Sequence, residues 1–303
     1  MTHYQLVAQN KRKSWLVIVG FTVFVGIAAW LMTYSFGYDL SLVGVALIFS
    51  GIISFGSYWF SDTVVLAVSK ARPATREEFF DFYTVAENLS MSLQIPVPKL
   101  YVIDDTAMNA FATGRDPKHS AVVVTTGLLS RLDRGEIEGV VAHELAHVTN
   151  YDILLMSIVS ILVGFIALLA DWMIRISFLG GGKRRDSRDS GQIEMILGLV
   201  GFVLVLLSPL IANLIKLAIS RKREFLADAS GVAITKNPTG LISALSKISQ
   251  DQEPLEAANK ATAHLYISDP LKNQKGGVGW FANMFNTHPP VEERIQALQS
   301  IVI

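Results

Sequence analysis

His143, Glu144 and His147 are the residues whose types and spacing can run one reaction together. In a helix, side chains four apart lie about 40° apart around the axis, so the two imidazoles share a face and form a two-pronged metal grip. Glu144 sits about 100° round from His143, outside the ligand pair yet within reach of a water held by the same ion, where a general base belongs. The pattern is that of a zinc hydrolase.

A helix must carry these three residues, and its start is visible. Asp133 followed by Glu136 is an Asp form of the capping box. Ile137, Val141, Leu145 and Val148 share a side away from the histidines, and Gly139 and Asn150 fall on the histidine side, predicting an apolar back and a polar front.

Two histidines leave a zinc site incomplete, since catalytic sites commonly use three protein ligands and a water. The chain has no Cys, so the third ligand is another His or a carboxylate. Spacing favours Glu224. His147 precedes the apolar run beginning at Ile153, and Glu224 follows the run ending at Ile219. If helices continue through both junctions, His147 and Glu224 stand about 9 Å and about 8 Å above one apolar boundary. Asp228, four residues on, shares that helix face and is placed to accept a hydrogen bond from a ligand imidazole. The plainer reading of Glu224 is a charge beside Arg221 and Arg223. His288 is a candidate to assist the oxyanion, or a packed or solvated ring before Pro289 and Pro290. His3, His119 and His264 lack partners at ligand spacing and read as surface or capping residues.

The rest of the chain explains where such a site would work. Of 303 residues, 51% are hydrophobic and 17% charged. The mean hydropathy of +0.40 is too apolar for a wholly soluble protein. Zero net charge gives no reason to expect a nucleic-acid partner. Apolar runs at about 15–34 and 40–60 predict an N-terminal transmembrane hairpin (1–60), and runs at about 153–174 and 193–219 a second one (153–219). Between and after them, 61–152 and 220–303 have soluble composition and form the two parts of one catalytic domain. Within the first part, Thr75 to Met91 reads as an amphipathic helix, and Leu100–Ile103, Met108–Thr113 and Ala121–Thr125 as strands. Asn109 to Thr113, if it is an edge strand, can pair with an extended substrate; a buried strand is the alternative. The fold class is therefore mainly α with a small β-sheet (α+β), in a multi-pass membrane protein.

Lys11–Lys13, Lys70, Arg72 and Arg221–Arg223 fall on one side if every run crosses, which puts the catalytic domain in the cytoplasm. The Gly180–Gln192 loop, with Lys183, Arg184, Arg185 and Arg188, disagrees. Either an earlier-set topology overrides it or runs three and four do not fully cross; their length favours crossing. Trp280, Phe281, Met284 and Phe285 read as core or membrane-edge packing rather than a binding surface near His288.

His143–His147 with Asn150, Asn109–Gly114, Arg223–Ala229 and Thr287–Pro290 followed by Glu292, Glu293, Arg294 and Ile295 resemble the HtpX family of bacterial membrane-bound zinc metalloproteases, across nearly the whole chain. The resemblance implies a zincin-like domain of the gluzincin type. His143, His147 and Glu224 would hold one Zn2+ per subunit, and Glu144 would be the catalytic base. It implies cleavage of misfolded or damaged proteins in stress-response quality control, at the bacterial inner membrane with the catalytic domain facing the cytoplasm. Partners are then unfolded protein substrates and the lipid bilayer. Two other readings are a processing protease for lipidated peptides, as in the related prenyl-peptide enzymes, and a non-catalytic zinc-stabilised membrane scaffold.

Overall fold

The computed structural model describes residues 3–36, 39–165, 221–258, 262–268, 270 and 289–301. Most of the second apolar hairpin, with Asp171, Arg175, the Gly180–Gln192 loop and Pro209, lies outside them, as do Trp280–Phe285, His288 and the side chain of His3.

Two helices lead the chain: α1 (His3–Phe36) and α2 (Ser41–Trp59), followed after Phe60 by the short α3 (Ser61–Val68). They cover the expected N-terminal hairpin. Their outward faces are apolar: Trp15, Leu16, Val19, Val23, Ile27 and Trp30 on α1, and Ile48, Phe49, Ile52 and Phe55 on α2, are all exposed. So large a contiguous apolar surface is what a partner or lipid phase covers. Among the described residues no single helix qualifies by length and composition as a membrane span. Two bent pairs do, residues 43–59 with Ser61–Val68 and Arg134–Thr149 with Asp152–Phe165, each with an 84° bend.

The sheet has four strands, β1 (Arg72–Pro73), β2 (Lys99–Ile103), β3 (Ala110–Asp116) and β4 (His119–Thr125), in the order β1-β2-β4-β3. β2 runs parallel to β4, and β1 and β3 are antiparallel to their neighbours. All three expected strands form, and β3 lies at the edge. The irregularity in the β3–β4 pairing between Gly114 and Asp116 needs glycine: Gly114 has φ +135, and a Cβ there would stand 2.2 Å from the His119 carbonyl oxygen.

Helix α4 (Phe80–Leu93) starts five residues later than the periodicity predicts. Arg72 explains the delay: its guanidinium grips Glu78 at 2.7 Å and Asp104 at 2.8 Å, fastening the segment before Phe80 onto the sheet. After β4 come α5 (Thr126–Arg131) and α6 (Arg134–Thr149), the helix of the histidine motif. The chain then bends by 84° into α7 (Asp152–Phe165). The remaining described helices are α8 (Arg221–Thr235), α9 (Pro238–Gln250) and α10 (Val291–Gln299).

One apolar cluster joins α4, the sheet, α6 and α9 through Phe82, Val102, Val124, Val140, Leu145 and Leu241; a second joins α1, α3, β3 and α7 through Phe21, Leu66, Phe111 and Leu155. α6 thus lies at the centre of the first of these clusters. The expected polar front is buried, not exposed: α6 is buried from Glu136 to Val148 except at Glu138, and its histidine side meets charged groups of α8 and α10. Small residues let neighbours close in. A Cβ on Gly139 would stand 2.7 Å from the Leu241 backbone nitrogen of α9.

Candidate metal centre

The capping box forms as its sequence predicts: Asp133 Oδ1 accepts from the Glu136 N–H at 2.9 Å, and Glu136 Oε2 accepts from the Asp133 N–H at 2.8 Å. Glu136 also accepts from Lys247 at 2.7 Å and Ser243 at 2.6 Å, which ties the start of α6 to α9. Two turns further on, His143 and His147 stand with ring centroids 4.8 Å apart and planes at 88°.

Glu224, Asp228 and Gly231 recur at the four- and three-residue spacing that puts them on one face of α8. That face meets α6. Gly231 permits the approach, since even a Cβ there would lie 3.2 Å from the His143 backbone nitrogen. His143 Nε2 is 3.7 Å from Glu224 Oε2, and His147 Nε2 is 3.6 Å from Glu224 Oε1. Each residue offers one donor atom, all within 4.8 Å of one another, and all three side chains are buried.

The continuous-helix premise that pointed to Glu224 does not hold. α6 ends at Thr149, and Tyr151 takes φ +59 to turn the chain into α7. The bend brings Asp152 back, so that its Oδ2 lies 3.0 Å from His147 Nδ1. Asp228 does the same for the other ring, 2.9 Å from His143 Nδ1. With each Nδ1 engaged by a carboxylate, both Nε2 atoms are left to face Glu224.

Three further groups support these carboxylates, one of them Arg223, whose Nη1 donates to Asp152 at 3.4 Å. Arg294 of α10, wholly buried, donates to Asp228 through Nε at 2.8 Å and Nη2 at 2.6 Å, and its Nη1 lies 3.7 Å from Glu224. Asn10, near the start of α1, donates to Asp152 at 2.7 Å and to the Asn150 carbonyl at 2.9 Å. Sequence reasoning gave neither Arg294 nor Asn10 nor Asp152 a role. An arginine after two glutamates reads as a solvated charge, and Asn10 is far away in sequence.

The arrangement fits a tetrahedral divalent ion. Ligand atoms bound at about 2.0–2.2 Å stand about 3.3–3.6 Å apart. The Nε2–carboxylate separations of 3.6 and 3.7 Å are close to that and too long for hydrogen bonds. The field also favours a cation. Burial pulls the His147 ring down, but the hydrogen bond to Asp152 and the charges of Glu224, Asp152 and Glu144 raise it to about 9. At His143 burial prevails over Asp228, and its proton affinity falls below the usual imidazole value. A neutral ring is the ligand form.

Glu144 is buried beside β3, where the nearby Ala112 backbone N–H favours the ionised form of its carboxylate. Burial, helped by the charge of Glu224 and opposed by His147 and Arg294, pushes it up to about 7. A carboxylate poised there exchanges protons with water near neutrality.

Asn109 is buried beside this site. Its side-chain amide donates to the Ser268 carbonyl at 3.0 Å, and Ile267 N–H donates to the Ala110 carbonyl at 2.9 Å, so residues 267–268 lie along the first part of β3. His119 is exposed and pairs with Asp116 at 2.8 Å, as a surface residue should. His264 corrects its expectation: it is 3% exposed, 3.0 Å from Ser160 Oγ and 3.3 Å from the Met156 carbonyl.

The model of peptidase family M48 matches residues 78–302. A protease HtpX homolog from Dictyoglomus thermophilum is 42% identical over 298 residues, 98% of this chain and 94% of that one. Homologs of the same name from Thermoanaerobacter pseudethanolicus and Streptococcus uberis are 41% and 40% identical, and each alignment covers at least 98% of both chains. Among solved structures, the crystal structure of S. mikatae Ste24p shares the fold at a TM-score of 0.50 and 19% identity, over 97% of this chain and 67% of that one.

Proposed function

This chain belongs to peptidase family M48 and is a metalloprotease, and from that premise we propose that it is a membrane-embedded, zinc-dependent endopeptidase that cuts misfolded or damaged proteins at the cytoplasmic face of a bacterial inner membrane. The observation that carries the reading is the buried group of His143, His147 and Glu224 with Glu144 beside it.

His143 and His147 through Nε2, and Glu224 through a carboxylate oxygen, would hold one Zn2+ per subunit. When bound, the ion supplies Lewis acidity to a peptide carbonyl and lowers the proton affinity of water. Glu144 takes the proton of the attacking water and returns one to the leaving amine. Asp228 and Asp152 keep the two rings turned so that both Nε2 atoms face one point, and Arg294 and Asn10 hold those carboxylates in place. An extended substrate lies along β3 beyond Ala110, where the Ala112 N–H already marks the height of Glu144. Support for the membrane comes from the exposed apolar faces of α1 and α2 beside the basic run Lys11–Lys13.

Replacing Glu144 by Gln keeps the shape and removes the base. Cleavage of an unfolded casein-like protein should fall by about 10²–10⁴-fold with metal content unchanged. Wild-type cleavage by this variant would remove Glu144 from the reaction.

A further inference from the structure

A groove of about 540 Å³ lies where α1, the end of α2, the β3–β4 turn and the start of α7 meet. Lys11, Arg115 and Lys118 stand along it, against a single carboxylate, Asp116. That carboxylate is already engaged: it accepts from the Lys118 and His119 backbone N–H groups at 2.8 and 2.9 Å, pairs with the His119 ring and lies 3.6 Å from Arg115 Nε, so the charge it offsets is that of Arg115 rather than of Lys11 or Lys118. Two of the cations, Lys11 and Arg115, are held in place by aromatic rings. Lys11 Nζ lies 4.3 Å from the centre of the Tyr151 ring, and the Arg115 guanidinium 4.8 Å from that of Trp59 while donating to the Trp59 carbonyl at 3.0 Å.

One turn along α1 the character changes. Trp15, 60% exposed, stacks on Tyr58 at 6.2 Å, and Ile18 and Leu154 continue the wall. Basic groups above an aromatic pair, with an apolar wall leading on to the exposed faces of α1 and α2, repeat the polarity of a phospholipid read from phosphate to acyl chain. A free phosphate would use the cations and leave the wall bare.

We propose that this groove binds the headgroup and upper acyl chain of an anionic phospholipid. The inference rests on the membrane reading above. It places a lipid phosphate between Lys11 and Lys118, one residue from Asn10, whose amide holds Asp152 and through it the His147 ring.

The test uses the full-length enzyme in detergent, incubated with an equimolar mixture of phosphatidylglycerol and phosphatidylcholine of the same chains, with retained lipid counted by mass spectrometry. Wild type should retain phosphatidylglycerol preferentially. Lys11→Gln with Lys118→Gln should weaken that preference by about thirtyfold. Lys70→Gln with Lys236→Gln, equal in charge but outside the groove, should keep it. Lys118→Glu, a single change at an exposed turn residue, should lose the preference even if the double variant misfolds. Equal retention of both lipids by wild type, or a preference that survives the groove variants, overturns the site. Displacement of phosphatidylglycerol by glycerol phosphate at equal concentration overturns the lipid in favour of a simple anion. A separate reconstitution into pure phosphatidylcholine vesicles keeps the two claims apart: insertion without lipid preference sinks only the groove, and failure to insert sinks the membrane reading and the groove with it.

Discussion

Arg294 gives the structure its most demanding prediction, because it lies 66 residues beyond the carboxylate it serves and is wholly buried. Arg294→Met keeps an unbranched stem but ends short of the guanidinium; it removes both bonds to Asp228, at 2.8 and 2.6 Å, the bond from Nη1 to the Ile267 carbonyl at 3.3 Å and the 3.4 Å contact of Nη2 with His143 Nδ1. Asp228 then keeps only the His143 ring among the described residues, as a buried carboxylate without its counter-ion. Breaking a buried ion pair from one side costs about 3–5 kcal/mol. In a chain of 303 residues that lowers the melting temperature by about 5–8 °C. The assay is thermal unfolding of the metal-free, detergent-solubilised protein, run as a double-mutant cycle. Asp228→Leu combined with Arg294→Met should recover most of the loss, since removing both charges leaves neither stranded. A shift below 2 °C for Arg294→Met alone, or losses that simply add in the double variant, would refute the pairing as the support of His143.

Asn10→Ala removes the 2.7 Å donor to Asp152 and loosens the His147 ring. Metal affinity, measured by competition with a chelator, should fall by about 10–100-fold, and an unchanged affinity would show that α1 plays no part in the site. At the start of α6, burial raises the proton affinity of Glu136, but hydrogen bonds from Lys247, Ser243 and the Asp133 N–H outweigh it and hold the carboxyl below the ordinary glutamate value. The native state therefore favours the ionised form, so the stability it contributes is present above the unfolded pKa of 4.5 and lost as the pH falls through the lower, folded value. Acid unfolding of Glu136→Gln should show a smaller loss of stability below pH 4.5 than wild type; an identical acid limb would contradict the assignment.

The parts of the site that were legible in the sequence are those set by spacing within one element. The histidine motif and the Asp133–Glu136 capping box each need only helical geometry, and both formed where predicted. Glu224 also stands against the histidine pair, although the straight helix used to argue its height is broken at Tyr151. That break is what hid Asp152: no periodicity anticipates a residue returned to His147 by a positive-φ turn and an 84° bend. Arg294 was hidden by its neighbours, because a helix opening on Glu292 and Glu293 reads as a solvated face, and only tertiary packing aims its arginine at Asp228. His264 failed for a related reason. Its partners, Ser160 and the Met156 carbonyl, belong to α7, more than a hundred residues earlier. The strands were read from β-branched runs, but which of them lies at the edge depends on pairing, and β3 beside Glu144 could be placed only by the sheet order.

The account stands most directly on Glu224, the carboxylate that α8 sets against the Nε2 atoms of the histidine pair. Metal content and cleavage of an unfolded substrate should be measured together on wild type and Glu224→Ala, with chelation and zinc re-addition as controls. Wild type should carry about one zinc per chain and cut, and the variant should lose both, because two histidines hold the ion too weakly without a third ligand. A variant that keeps its zinc and its activity would contradict the site as assigned here.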